Sequence, residues 1–175
     1  MRKPDARRPA LWFLPAIAFA WAQVAHAEIP EAFQPLVVKP PFSLSERVVD
    51  LTPAFEKARQ LRKPLLVYLG ASDCPPCKEY TRFLDQHQGE MQPVFDSVVL
   101  VDIRTWLRGP KMSFRIDGKS YTVAEFKAAI GDSNKELFYP SWWLLTPEGK
   151  QVRQLPRGTG SYLTVDSHAR LIKGS

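Results

Sequence analysis

Cys74-Pro75-Pro76-Cys77 constrains this chain more than any other segment. It follows Leu65-Leu66-Val67-Tyr68-Leu69, a short apolar run that reads as a buried strand. A loop, Gly70-Ala71-Ser72-Asp73, separates the two, and a helical segment runs from about Cys77 to Gln88. Two cysteines three apart at a strand-to-helix turn make a site for thiol–disulfide exchange. Their spacing closes a small ring between the sulfurs. The helix N-terminus places partial positive charge and free N–H groups near the first sulfur, which stabilises its thiolate. The second cysteine is shielded one turn further in, where it can attack a mixed disulfide. Pro76 has no N–H to leave unsatisfied near the helix start, and both prolines stiffen the loop.

Two other uses of the pair fare worse. Structural zinc wants four ligands; the chain has two cysteines, and His87 and His168 stand at no familiar metal spacing. No metal site and no cofactor are expected. An inert structural bridge gains little from a ring this short, because it barely constrains the unfolded chain.

The first 27 residues read as a secretory signal peptide. Arg2, Lys3, Arg7 and Arg8 against Asp5 give a positive start, Ala10 to Ala22 is apolar, and Ala25-His26-Ala27 offers small residues at the two positions a signal peptidase reads. A spanning helix needs about 20 apolar residues, whereas this run has 13 before Gln23, with Pro15 inside it. Cleavage after Ala27 is expected, with a periplasmic destination, an oxidising compartment and no stable anchor. Four cations and one anion leave with the segment, so the net charge falls from +6 to +3 and 148 of 175 residues remain. A charge of +3 on a mixed surface is no nucleic-acid footprint, whatever the pI of about 9.4 implies at first.

Residues 28–43 carry Pro30, Pro35, Pro40 and Pro41 and read as an extended leader without regular structure. Residues 44–175 read as one domain. Thr52 can cap and Pro53 can open a first helix ending near Leu61. A second buried strand spans Val98 to Val101, preceded by an amphipathic Met91 to Phe95. A stretch of different character, about 104–137, holds a hairpin around Asp117-Gly118 and a capping box, Thr122-Val123-Ala124-Glu125. A third strand at Trp142 to Leu145, a turn, a fourth strand at Gln151 to Leu155 and a last helix from about Ser161 to Ile172 follow. The order describes an α/β domain.

From Leu65 onward the chain resembles the thioredoxin superfamily. The resemblance rests on Leu65 to Lys78, on Tyr139-Pro140-Ser141-Trp142-Trp143-Leu144-Leu145-Thr146-Pro147-Glu148-Gly149-Lys150, and on Gly158 and Gly160 before the last helix. It covers about Val48 to Lys173. It implies a thioredoxin-like fold, a central mixed β-sheet flanked by helices, with the 104–137 stretch as an insertion before the cis-proline strand. It also implies that Cys74 is the exposed nucleophile and Cys77 the resolving thiol, with Pro75 and Pro76 as the active-site loop. Pro140 would sit in cis opposite the pair, and Tyr139 would offer its backbone to an extended substrate peptide.

The chain departs from the pattern in three places. Ordinary thioredoxins carry a buried Asp where this chain has Tyr68, and a Trp where it has Asp73. Asp73 would raise the Cys74 pKa, while the helix N-terminus and Lys78 would lower it; Asp73 reads equally well as a plain helix N-terminal residue. The 63 residues from Cys77 to Pro140 also exceed what a minimal member needs. Pro75-Pro76 offers no donor to a thiolate, so a potential between about −270 and about −120 mV is expected. The resulting expectation is a periplasmic thiol–disulfide oxidoreductase, more a reductase or modest exchanger than a strong oxidase. Its partners would be cysteine-containing periplasmic proteins and a membrane thiol–disulfide electron donor. A thioredoxin-fold chaperone or adaptor is the alternative.

Three side-chain expectations complete the reading. Trp142 and Trp143 should point to opposite faces of their strand, one into the core and one nearer the surface, unless both pack under the helices, as the usual burial of aromatics favours. Trp106, Phe114, Tyr121 and Phe126 should form a small satellite cluster in the insertion, in preference to a partner surface. His87 should be a solvated residue at a helix end.

Overall fold

A computed structural model describes residues 27–134 and 136–174. The expected signal peptide lies outside the described residues, apart from Ala27. Five strands form the central sheet: β1 (Leu36–Val38), β3 (Leu65–Ala71), β4 (Val99–Thr105), β7 (Ser141–Leu145) and β8 (Gln151–Arg153), in the order β1-β4-β3-β7-β8. The first three are parallel, while β7 and β8 run antiparallel to their neighbours. All seven residues of β3 are buried, as its unbroken apolar run requires of a strand covered on both faces.

The faces of β3 alternate. Leu66 and Tyr68 pack with α2 (Pro75–Gln86), α3 (Gln88–Phe95) and α5 (Val165–Lys173). Leu65, Val67 and Leu69 pack with α1 (Thr52–Leu61) and a second sheet. That sheet joins β2 (Glu46–Asp50), parallel to β5 (Lys111–Ile116), with β6 (Lys119–Thr122) antiparallel to β5. Helix α4 (Val123–Ile130) follows β6. The architecture is mixed α/β, a central mixed sheet flanked by helices, as expected.

Local chemistry explains the β5–β6–α4 unit. Asp117 and Gly118 both have positive φ, the requirement of the tight hairpin turn between β5 and β6. Thr122 accepts from the Glu125 N–H, and Glu125 returns a bond to the Thr122 N–H. Gly131 ends α4 at φ 89°.

Several expectations need correction. The leader is not without regular structure: Leu36–Val38 pairs along β4, a short 3-10 turn spans Glu31–Phe33, and Ile29 and Phe33 enter the core. Backbone pairing to β4 overrides the prolines that flank this strand. Thr52 does not cap α1; its hydroxyl accepts from the Asp117 N–H, while its own N–H donates to Asp50. The insertion cluster is no satellite, because Phe114 and Phe126 are fully buried and stack on each other against Trp143. For the same reason neither tryptophan lies near the surface: they occupy opposite faces, and both faces are covered. Helix α2 starts two residues earlier than expected, and α5 starts four residues later, after a 3-10 turn at Gly160–Tyr162.

Candidate functional site

The two cysteines meet where β3 ends and α2 begins. Cys74 is the N-cap of α2, in an extended conformation, and Pro75 and Pro76 occupy the first helical positions. Those positions have no N–H partners in any helix, so two prolines cost nothing in hydrogen bonds there. Cys74 and Cys77 form a disulfide with Cα atoms 5.2 Å apart. The Cys77 N–H points at the Cys74 sulfur, at 3.2 Å. The loop before it is tied down by Ser72 N–H to the Thr105 carbonyl and Cys74 N–H to the Ala71 carbonyl.

Cys74 is not exposed, contrary to expectation. It is 1% accessible and Cys77 is closed off entirely. The pair shares an apolar cluster with Ala71 and Ala27, and Tyr139 packs against it. Ala27 stands 47 residues before Cys74, so no local pattern reveals this cover. The Tyr139–Pro140 peptide is cis, and Pro140 is buried at the start of β7. Tyr139, Pro140, Cys74 and Cys77 therefore lie together at one end of the sheet.

A charged network lies on each face of the central sheet. On the α2 side, Asp102 of β4 is fully buried and is the register partner of Tyr68. Its Oδ2 accepts from the Ile29 N–H at 3.1 Å and from Arg104 Nε at 2.7 Å, and Arg104 also pairs with Glu28. Its Oδ1 has no partner among the described residues. Burial pushes the Asp102 carboxyl up to about 6, against the pull of Arg104. The Tyr68 hydroxyl is likewise buried without a partner, and burial with the Asp102 charge raises its pKa. A carboxylate does stand beside Tyr68, then, supplied by the neighbouring strand.

On the second-sheet side lies Arg47 of β2, 6% exposed. It donates to the Pro110 carbonyl, the Thr105 hydroxyl and the Trp106 carbonyl at 2.9, 2.9 and 2.6 Å, and lies over the Trp106 ring. The next N–H, that of Leu107, donates to Asp73 at 2.7 Å. Burial raises the Tyr139 phenol above its usual range; the Arg47 guanidinium beside it opposes the shift and Asp73 adds to it. Asp73 is exposed and serves as the anchor of this loop.

Sequence reasoning missed Arg47 and Asp102. Asp102 had a signal, a lone carboxylate in the apolar run Val98 to Ile103. Arg47 had none, since a basic residue in Glu46-Arg47-Val48-Val49-Asp50 looks like an ordinary edge-strand charge. His87 caps α2 and pairs with Glu90, away from the pair. Among the described residues, no three His, Cys, Asp or Glu side chains converge to hold a metal.

A family model described as thioredoxin-like matches residues 47–137, from Arg47 through both cysteines and the second sheet to just before Tyr139. No curated protein matches the chain.

Proposed function

The chain belongs to the thioredoxin-like family, and on that premise we propose that it is a thiol–disulfide oxidoreductase of an exported compartment. The disulfide at the N-terminus of α2 supports this reading most directly. In the reduced protein, the Cys74 thiolate attacks a substrate disulfide. The substrate S–S bond breaks, one substrate sulfur leaves as a thiolate and takes up a proton, and a mixed disulfide forms. Cys77 gives up its proton and attacks Cys74, the second substrate sulfur leaves, and the Cys74–Cys77 bond closes. Two electrons have then passed from the protein to the substrate. Asp102, a buried carboxyl beside Tyr68 whose pKa is pushed up to about 6 and whose Oδ1 has no partner among the described residues, is the group we assign to take the Cys77 proton.

Pro75-Pro76 donates nothing to a thiolate, which favours a reductase or modest exchanger. A membrane dithiol would re-reduce the bridge, and the substrates would be cysteine-containing periplasmic proteins. Tyr139 and Pro140 would hold the substrate strand against the pair. Export also bears on access. Cleavage after Ala27 removes the residue that shares the apolar cluster with Cys74, so processing would uncover the sulfur.

Insulin reduction with a dithiol supply tests the reading. Turnover by the wild type and none by Cys74→Ser is the expected result; activity that survives Cys74→Ser overturns it. One observation favours the adaptor alternative. Phe42 and Leu44, 82% and 89% exposed, offer apolar contacts on the β1–β2 loop. Partner capture that persists in the Cys74→Ala, Cys77→Ala double variant would mark that role.

A further inference from the structure

Arg47 is a cation out of water with no anion in hand. Among the described residues no carboxylate stands within ion-pair distance of it, and its hydrogen bonds end on two carbonyls and a hydroxyl. Neutral dipoles solvate a buried charge without cancelling it, so such a charge is costly unless something nearby complements it. One peptide group ties it to the cysteines. The Trp106 carbonyl accepts from Arg47, and the N–H of that same peptide, at Leu107, donates to Asp73, the residue before Cys74. The Tyr139 ring is the second tie, with its hydroxyl facing Arg47 and its body packed against the disulfide cluster. The disulfide carries no charge, so in the oxidised protein the guanidinium has no anionic partner among the described residues. Reduction creates an anion on the other side of that ring.

We propose that Arg47 is the positioning residue of this site: it holds the 105–110 loop against Asp73, and its uncancelled charge is the counter-charge of the Cys74 thiolate. The inference rests on the exchange reading above. It names a control on the nucleophile that comes from β2 and the insertion, outside the cysteine loop. A unit charge one tyrosine ring away, at an effective dielectric constant of about 20, moves a thiol by on the order of one pH unit. Stabilising the thiolate also stabilises the reduced form, so Arg47 makes the pair more oxidising than its Pro-Pro loop alone would.

The test titrates Cys74 alone, in a Cys77→Ser background, by thiolate absorbance and by alkylation rate against pH. Arg47→Met should raise the midpoint by about one unit, and Arg47→Lys, which keeps the charge, should recover most of the shift. Asp73→Asn should lower the midpoint, and its effect should change when combined with Arg47→Met, because one peptide links them. With both cysteines present, Arg47→Met should shift the glutathione equilibrium toward the disulfide about tenfold, or about 30 mV. An Arg47→Met midpoint equal to the parent's, in a variant whose near-ultraviolet circular dichroism is unchanged, overturns the proposal. Should Arg47→Met not fold, Arg47→Lys decides: a rise of a full unit with the charge retained also overturns it. Insulin reduction by the wild type separates the two readings. No reduction with a responsive midpoint removes the exchange function and leaves Arg47 standing; reduction with an unmoved midpoint removes only the role of Arg47.

Discussion

Tyr68 and Asp102 sit side by side, in register on β3 and β4, and each keeps one buried oxygen without a hydrogen-bond partner. An orphaned buried polar atom costs about 1–3 kcal/mol, and two in adjacent positions are uncommon in a core. Asp102→Asn removes a buried charge but leaves an oxygen for the Ile29 N–H. Above pH 6 the variant should be more stable than the wild type by about 1–2 kcal/mol in urea unfolding. It should also resolve mixed disulfides at least about tenfold more slowly, read by quenched-flow trapping. Unchanged resolution would remove Asp102 from the proton path.

Stability should respond to pH through two opposed groups. Burial holds His168 down at about 4, below its unfolded value, so its contribution is present above about pH 6.5 and is lost as pH falls toward 4. Burial holds Asp102 up at about 6, so its contribution is present below about pH 3.8 and is lost as pH rises through 6. Between pH 4 and 6 the two largely cancel. Relative to the wild type, His168→Gln should gain stability on acidification and Asp102→Asn should lose it, each by up to about 3 kcal/mol. Denaturant melts across that window measure both slopes, and parallel curves for all three proteins would contradict the assignment.

The cover over Cys74 predicts a difference in reactivity. After reduction, a chain beginning at Glu28 should alkylate at Cys74 several-fold faster than the chain beginning at Met1, since Ala27 no longer packs with the pair. Equal rates would mean that Ala27 does not limit access to Cys74.

Phe126 stacks on Phe114 with ring centroids 4.1 Å apart and meets Trp143 edge-on. Phe126→Ala should therefore cost about 3–5 kcal/mol in a single cooperative unfolding transition. A small loss confined to residues 104–137 would mean that the second sheet melts by itself.

Gly70 leaves no room for a side chain. A Cβ there would lie 2.6–2.9 Å from the Tyr68 ring, which is itself fully buried. Gly70→Ala should destabilise the fold by about 1–3 kcal/mol by displacing that ring, read by thermal unfolding.

Elements that depend on neighbours in sequence were legible beforehand. The capping box at Thr122 and Glu125, the Asp117-Gly118 turn and the apolar run of β3 each carry their cause within a few residues. What escaped depends on distant partners. Leu36 pairs with Val101, so a strand formed in a segment whose prolines argue for none. The second sheet covers the Trp143 face of the central sheet, so neither tryptophan approaches solvent. Both cysteines were plain from spacing, but Ala27 and Tyr139, which pack with them, are remote in sequence, as are the β2 and β4 residues that carry the two charged networks.

The pairing of β1 with β4 and of β2 with β5 also sets a schedule. Among the described residues, β1 and β2 find their sheet neighbours at residues 101–103 and 111–115. During synthesis about half the protein must emerge before either strand can dock, and until then both present open backbone edges to whatever is nearby. A nascent chain that stays unpaired for so long is well suited to passage through a narrow channel and is at the same time a client for holding factors.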